Sequence, residues 1–586
     1  MESVTDAASA VSYVRDIQSS LNMLMTLGIT SHLWMPETHV ADEAVYDYII
    51  VGAGTAGAIV AGRIAQNKTA KVLLIEAGGD PPMETVFPGL ALYTKLSQID
   101  FNFTTSSKRL SKQCGRDGNL ILHAGKVLGG SSSINIMLYQ RGTERDYEPW
   151  VTASKNPHWS LNNTIKYFKK TEKLEDPVII NSPYRKYRGV NGPLIVTTEN
   201  RTEIDVYRAA FKEFGKFVDI DLNSNETLGF TKSQYTISNH RESSATAFLK
   251  PSDKTPYLDL LKHTEVTKIL FDSNNNAIGV KAIRNNKLIT FKARKEVIIS
   301  AGVINTPKLL MLSGIGPKKH LKCKGIKVRA DLPVGENYHD HVTIVLIHNL
   351  GKACGKTPEV DLRKYPFPAI TGYVALNESS RYPDYVVSGY FLLNKDSAKE
   401  ALIDNAFFHR YSNCIINRIY QKSKENKLLY SFIKNATPKS RGSVTLRSSN
   451  CKDKPIIDGG YFSNEEDLEA HAVYLQDYMK LGDTKVFKDI GAQLVDPLNK
   501  QCGDNEFGSR EYWKCYALCM MNPSHHGVGT CAMGSVVDGE LNVFGVKKLR
   551  VVDASVIPVI TTGGTVAPTM MIAEKGANII IQDMYR

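Results

Sequence analysis

No apolar run in this sequence is long enough to span a bilayer. The nearest approach, residues 19–35, is broken by Asn22, Thr26 and Ser31. Ahead of it stand Glu2, Asp6, Arg15 and Asp16, which do not form the basic leader of a secretory signal. No basic stretch alternates with aromatics, so the formal net charge of +12 does not read as a nucleic-acid surface, although its field favours anionic partners in general. Segments such as Lys169-Lys170-Thr171-Glu172-Lys173 read as solvated helix faces. The nine cysteines are odd in number and lack zinc-like spacing, so no metal site is expected and the redox compartment stays open. There is no internal repeat and no low-complexity linker.

What remains is a chain of ordinary globular composition, 42% hydrophobic and 23% charged. Its 586 residues exceed one hydrophobic core, which implies two domains, interleaved or in series. Residues 1–45 read as a leader, with an amphipathic helix as the simplest form of 19–35. The missing signal favours the cytoplasm; sequons at Asn67, Asn102, Asn162, Asn200, Asn225, Asn377 and Asn435 pull towards secretion. Alternating segments at 266–271, 277–283 and 297–300 predict further strands. Residues 345–434 carry few glycine fingerprints and suggest a substrate-facing region.

From Tyr46 the pattern is βαβ: an apolar strand to Val51, a glycine turn, a helix to about Gln66 and a second strand, Val72–Ile75. Gly52 permits the tight turn, Gly54 lets the backbone approach a pyrophosphate, and Gly57 packs the helix on the strand. Thr55 and Ala56 lie at the helix start, where free N–H groups and the helix dipole face phosphates. Glu76 closes the second strand, 24 residues after Gly52, where a carboxylate accepts from a ribose diol. An acid there disfavours a 2′-phosphorylated cofactor. The fingerprint alone does not separate FAD from NAD.

Three longer segments make that separation. Gly125-Lys126-Val127-Leu128-Gly129-Gly130-Ser131-Ser132-Ser133-Ile134-Asn135 resembles the first signature of the glucose–methanol–choline (GMC) oxidoreductase family. Residues 302–316, Gly302 to Gly316, are similar to its second, with Val303 in place of a small residue. Residues 549–558 resemble the C-terminal return to the flavin. The resemblance runs from about residue 46 to about 580, and its details look most like the insect branch, which includes glucose dehydrogenase and ecdysone oxidase. It implies an α/β fold: a Rossmann-like FAD-binding domain interleaved with a substrate domain on an antiparallel sheet with helices. The implied regions are 46–344 for FAD, 345–434 for substrate, and 435–580 for the catalytic segment and the return. It also implies roles for Gly129, Gly130, Ser131 and Asn135 at the flavin, Val266 at the adenine, Asp553 and Ala554 at the ribityl–phosphate part, and Pro568 at the start of a terminal helix aimed at the flavin. Some relatives attach flavin through a histidine at the position of Ile134; isoleucine forms no such bond, so the FAD is expected to be non-covalent.

Hydride transfer from an alcohol needs a base for the hydroxyl proton and donors for the alkoxide. Ser524-His525-His526-Gly527-Val528-Gly529-Thr530 resembles the family's His-Pro-Val-Gly-Thr segment, which makes His526 the base and His525 an assistant. Relatives carry Asn or His in Gly-Asn-Thr-Asn-Ala-Pro, where this chain has Gly563-Gly564-Thr565-Val566-Ala567-Pro568. Gly564 thus stands where the second catalytic side chain is expected, and His525, Thr562 and Thr565 are the neighbours available to compensate. Cys515 and Cys531 bracket the histidine segment; a disulfide clamp and two buried thiols are both open. The implied reaction is FAD-dependent oxidation of a primary or secondary alcohol, an ecdysteroid, a sugar or an aromatic alcohol, with O2 or a quinone as acceptor. A weakened FAD-binding homologue and a non-redox lyase are the alternatives. Oligomeric state is not legible.

Overall fold

The computed structural model describes residues 33–94, 97–106, 114, 119–214, 221–252, 254–353, 361–377, 379–396, 399 and 411–585. The expected leader therefore lies mostly outside the described residues.

Val45–Val51 and Val72–Ile75 are almost wholly buried, the pattern of parallel strands covered on both faces. They pair in parallel, and the ladder continues to Leu258–Leu261 on one side and to the end of Lys287–Ile299 on the other. Val51 is in register with both Ile75 and Ile299, and Ile75 with Leu261, so four carboxyl ends stop at one edge. Ligands of open α/β sheets bind at that edge. The long strand Lys287–Ile299 also pairs antiparallel with Ala277–Arg284, which pairs with Thr264–Phe271. Leu549–Val551, some 250 residues downstream, adds in parallel beside Val297–Ile299. The terminal helix Val566–Asp583 is buried over most of its circumference and packs on the helix Gly57–Gln66.

A second sheet is antiparallel throughout, in the order Gln493–Leu494, Val342–Lys352, Asn426–Asn435, Tyr385–Leu392, Ala369–Val374, Gly229–Lys232. Met521–Pro523 joins the start of Val342–Lys352. The sheet thus draws strands from outside 345–434, and the boundaries at 344 and 434 fall inside strands. Helices Glu465–Met479 and Arg510–Met520 pack together against it over a core that includes Ile344, Tyr385, Leu429 and Trp513.

Three sequence expectations are corrected. Glu172 is no solvated helix residue: it is fully buried, and its carboxylate accepts from Arg141, Arg188 and the Gly189 N–H. Asn435 is buried in a strand and donates to Asp467, so that sequon offers no exposed acceptor. Cys515 and Cys531 do not pair. Cys515 is bonded to Cys502 and Cys114 to Cys519, while Cys531 is a buried thiol whose N–H donates to Ser555, drawn away towards the Asp553 segment.

Candidate active site

The glycine turn leaves the carboxyl edge of the first sheet at Gly52, whose φ is +96°; a Cβ there would meet the Ser300 carbonyl oxygen at 2.5 Å. Glu76 holds the turn from the neighbouring strand: Oε2 accepts from the Ala53 N–H and Oε1 from the Gly78 N–H, both at 2.8 Å. Burial pushes this carboxyl up to about 7, against the pull of those backbone donors. No side chain caps the helix Gly57–Gln66; the Ala58 and Ile59 N–H groups turn back to the Gly54 and Ala56 carbonyls, and the positive end of the helix dipole faces the turn.

A cavity of about 290 Å³ opens beside this turn. It is lined by Gly52, Gly54, Thr55, Ala56 and Glu76, by Gly130, Ser131 and Asn135, by Val266, and by Asp553 and Ala554. His525, His526 and Gly564 line the same cavity. Gly57, Gly129 and Pro568 do not. Gly57 lies under the turn, where a Cβ would come within 1.9 Å of the Gly52 oxygen. Gly129 donates its N–H to Ala53 behind the turn. Pro568 is the third residue of a helix that starts at Val566, and Thr565, Val566 and Thr569 face the cavity in its place.

The cavity fits an FAD. Gly54 and Gly130 form a side-chain-free cradle: a Cβ on Gly54 would stand 3.7 Å from the Gly130 Cα, in space that the cavity occupies. The uncapped helix start suits a pyrophosphate, and the buried Glu76 carboxylate suits a ribose diol. Asp553 is committed as well: it accepts from the Gly302 N–H and Thr306 Oγ1 on one oxygen, and from the Ser555 N–H and Oγ on the other. Asn135 accepts from Arg241, a buried guanidinium that desolvation lowers to about 9 and that sequence reasoning missed. Ile134 is buried and offers no nucleophile.

His526 sits on the loop after Met521–Pro523. Asp340 holds that loop, accepting from the His526 N–H at 2.8 Å and the His525 N–H at 3.2 Å. His341 Nδ1 lies 3.0 Å from His526 Nδ1 with the rings perpendicular. His526 Nε2 lies on the side of Gly564, 3.7 Å from where a Cβ on that glycine would be. Burial, then His341, then Lys434 hold the His526 imidazole well below its ordinary range, so it is neutral at neutral pH. Lys434 also lines the cavity; burial brings it down to about 8, Asp340 opposes that, and its Nζ donates to Ser388 Oγ. His123, paired with Asp100, touches the His525 ring.

Of the expected compensators, Thr562 is excluded: its N–H and Oγ1 both donate to the buried Asp146. His525 and Thr565 line the cavity. Gln140 lines it too, and no local pattern in the sequence marked that residue.

Family models for GMC oxidoreductases match residues 46–343 and 438–573. An ecdysone oxidase of Bombyx mori is 36% identical over 94% of this chain and 84% of its own length. A glucose dehydrogenase [FAD, quinone] of Drosophila melanogaster is 32% identical over 91% of this chain and 86% of its own. A formate oxidase structure from Aspergillus oryzae superposes with a TM-score of 0.78 at 25% identity, covering 93% of this chain and 99% of the other.

Proposed function

The chain belongs to the GMC oxidoreductase family, FAD-dependent enzymes that act on CH–OH groups, and from that premise we propose that it oxidises an apolar alcohol with His526 as the base. The observation that carries the reading is one cavity lined both by the dinucleotide turn and by a neutral, buried imidazole. Bound FAD supplies the hydride acceptor. The residues of this chain position the alcohol and take its proton. His526 Nδ1 and His341 Nδ1 share one hydrogen bond, and in this reading His526 Nδ1 carries the proton and donates. That tautomer leaves the His526 Nε2 lone pair facing the cavity, ready for the hydroxyl proton. The alcohol leaves as an aldehyde or ketone.

Phe101, Phe103, Leu122, Ile136, Met137 and Leu138 line the cavity, which supports a steroid or aromatic alcohol over a sugar. The ecdysone oxidases among the relatives point the same way, so an ecdysteroid is the first candidate, with O2 or a quinone as the acceptor. No helix among the described residues is long and apolar enough to cross a membrane. The two disulfides support an oxidising compartment, in favour of the secretion that the sequons suggested.

The test is anaerobic mixing of the FAD-loaded protein with ecdysone, glucose and benzyl alcohol while the oxidised flavin band is followed. Bleaching by ecdysone or benzyl alcohol but not glucose is expected. Bleaching by glucose alone would overturn the apolar reading, and no bleaching with FAD bound would return the weight to a weakened binder or a lyase.

A further inference from the structure

Asn135 lines the cavity from the glycine–serine segment, and its side-chain amide is held at one end only. Oδ1 accepts from Arg241 Nη1 at 2.7 Å and from the Met137 N–H at 3.0 Å. A guanidinium and a backbone N–H can only donate, so the atom facing them is the oxygen and the NH2 stands at the opposite end. Nδ2 makes no hydrogen bond among the described residues, yet it is not one of their buried, unpaired atoms. It therefore keeps accessible surface, and the cavity is the space that Asn135 borders. A donor is presented to whatever fills that space.

Arg241 holds this amide from behind and is itself fixed. Its N–H donates to the Val86 carbonyl and its Nε to the Thr85 carbonyl, both at 2.8 Å, and Nη1 also donates to the Asn135 carbonyl at 2.7 Å. Arg241 is only 2% exposed, yet every acceptor it meets is neutral. Glu242, next in the chain, gives its carboxylate to the Ser238 and Thr246 hydroxyls instead. Buried arginines are almost always paired with an acid, so an unneutralised one behind a cavity wall points to negative charge that arrives with the ligand. The cation also polarises the amide it touches: drawing on Oδ1 makes the NH2 a stronger donor.

We propose that Arg241 is a positioning residue for the flavin, orienting and polarising the Asn135 amide so that its NH2 stabilises the negative charge the ring gains on reduction. The hydride taken from the alcohol brings two electrons and one proton, so the reduced ring is one negative charge richer than the oxidised one. Arg241 neither gives nor takes a proton in this step. The proposal rests on the cavity as the FAD site and is independent of His526.

The test reads the midpoint potential of bound FAD, reduced by xanthine and xanthine oxidase against a reference dye. It uses the full chain as wild type, Arg241→Gln, Arg241→Lys, Asn135→Ala, and Asn135→Ala with Arg241→Gln, with flavin content and thermal unfolding checked in each. No alcohol is needed, so the result does not depend on the substrate or the base. Glutamine still donates to the backbone carbonyls, so it tests the charge more than the fold. Affinity for reduced over oxidised FAD should fall roughly tenfold in Arg241→Gln, the lower end for one lost charge-assisted bond, which is about 30 mV for two electrons. Arg241→Lys, which keeps the charge, should stay within about threefold of wild type. Asn135→Ala should lose as much as Arg241→Gln, and the double variant little more, because the arginine acts through the amide. A wild-type potential in Arg241→Gln or in Asn135→Ala would overturn the proposal, as would losses that add in full. Equal losses in the Gln and Lys variants would make Arg241 a backbone clamp and overturn it too. If Arg241→Gln does not hold FAD, the result expected is a near-wild-type Arg241→Lys beside a lowered Asn135→Ala, and any other pairing overturns the proposal.

Discussion

The clearest quantitative consequence of the site is its response to acid. A histidine base at its ordinary pKa of about 6.5 would be almost fully protonated at pH 5, and reduction would fall about 30-fold between pH 8 and pH 5. His526 is held well below that value, chiefly by burial, then by His341 and Lys434. The sign follows from the charge type: removing solvent and adding nearby positive charge both disfavour the imidazolium, so the base stays free as pH falls. The expected loss between pH 8 and pH 5 is therefore well short of 30-fold. Asp340, pushed up to about 7 by burial, titrates inside the same window. Its protonation removes a negative charge and disfavours the imidazolium further, so it works in the same direction as the main effect. The assay is stopped-flow reduction at saturating alcohol, without oxygen, in wild type and Asp340→Asn. An inflection confined to wild type belongs to Asp340. A 30-fold fall centred near 6.5 in both proteins would refute the assignment of His526 as a buried, neutral base.

Glu76→Gln would turn an NH2 towards either the Ala53 or the Gly78 N–H, and loss of one charge-assisted bond should weaken FAD binding roughly 10- to 100-fold, measured by equilibrium dialysis. In wild type the carboxyl gains a proton as pH drops through about 7, so FAD should loosen below that pH, whereas the Gln variant should not show this dependence. Arg188→Met would strand Glu172 and Asp221, both of which it pairs inside the protein; a loss of about 3–5 kcal/mol is expected in thermal or denaturant unfolding. Peptide mapping without reduction should recover Cys502–Cys515 and Cys114–Cys519. In the native protein, alkylation should reach exposed Cys323 and Cys414 and spare buried Cys531.

What the sequence disclosed was local. The strand to Val51, the turn at Gly52–Gly57 and the strand Val72–Ile75 are contiguous, and each residue's task follows from its own backbone geometry, so the cofactor end was legible from 31 residues of chain. The parallel addition of Leu549–Val551 to that sheet was not, because pairing across about 250 residues leaves no periodicity in either segment. Glu172 misled for the same reason: its lysine neighbours suggested a solvated face, while its partners Arg141 and Arg188 stand 31 and 16 residues away. His526 was found through its motif, but Asp340 and His341, which hold and orient it, approach from the segment just before the strand Val342–Lys352, 186 and 185 residues earlier, and carry no local signature. Gln140 is the extreme instance. Its link to the site is a hydrogen bond to a glycine 424 residues away, and a glycine is the residue least able to announce a partner.

The net charge of +12 suggested a preference for anionic substrates, and the geometry around His526 argues against carrying that preference into the site. His341 is brought down to about 3 by burial and His526 is also depressed, so neither imidazole offers a positive charge near neutral pH. Lys434 lines the cavity and acts on His526, and it is offset by Asp340 and engaged by Ser388. Gln140 is neutral. An incoming carboxylate would lose its water without gaining a full counter-charge, whereas a neutral hydroxyl can give its hydrogen bond to the neutral imidazole. Formate and lactate should therefore fail to bleach the flavin at concentrations where a neutral alcohol of similar size succeeds. Bleaching by either anion, lost in Lys434→Met, would mean that Lys434 presents its charge to the substrate and that the wall around His526 is electrically positive.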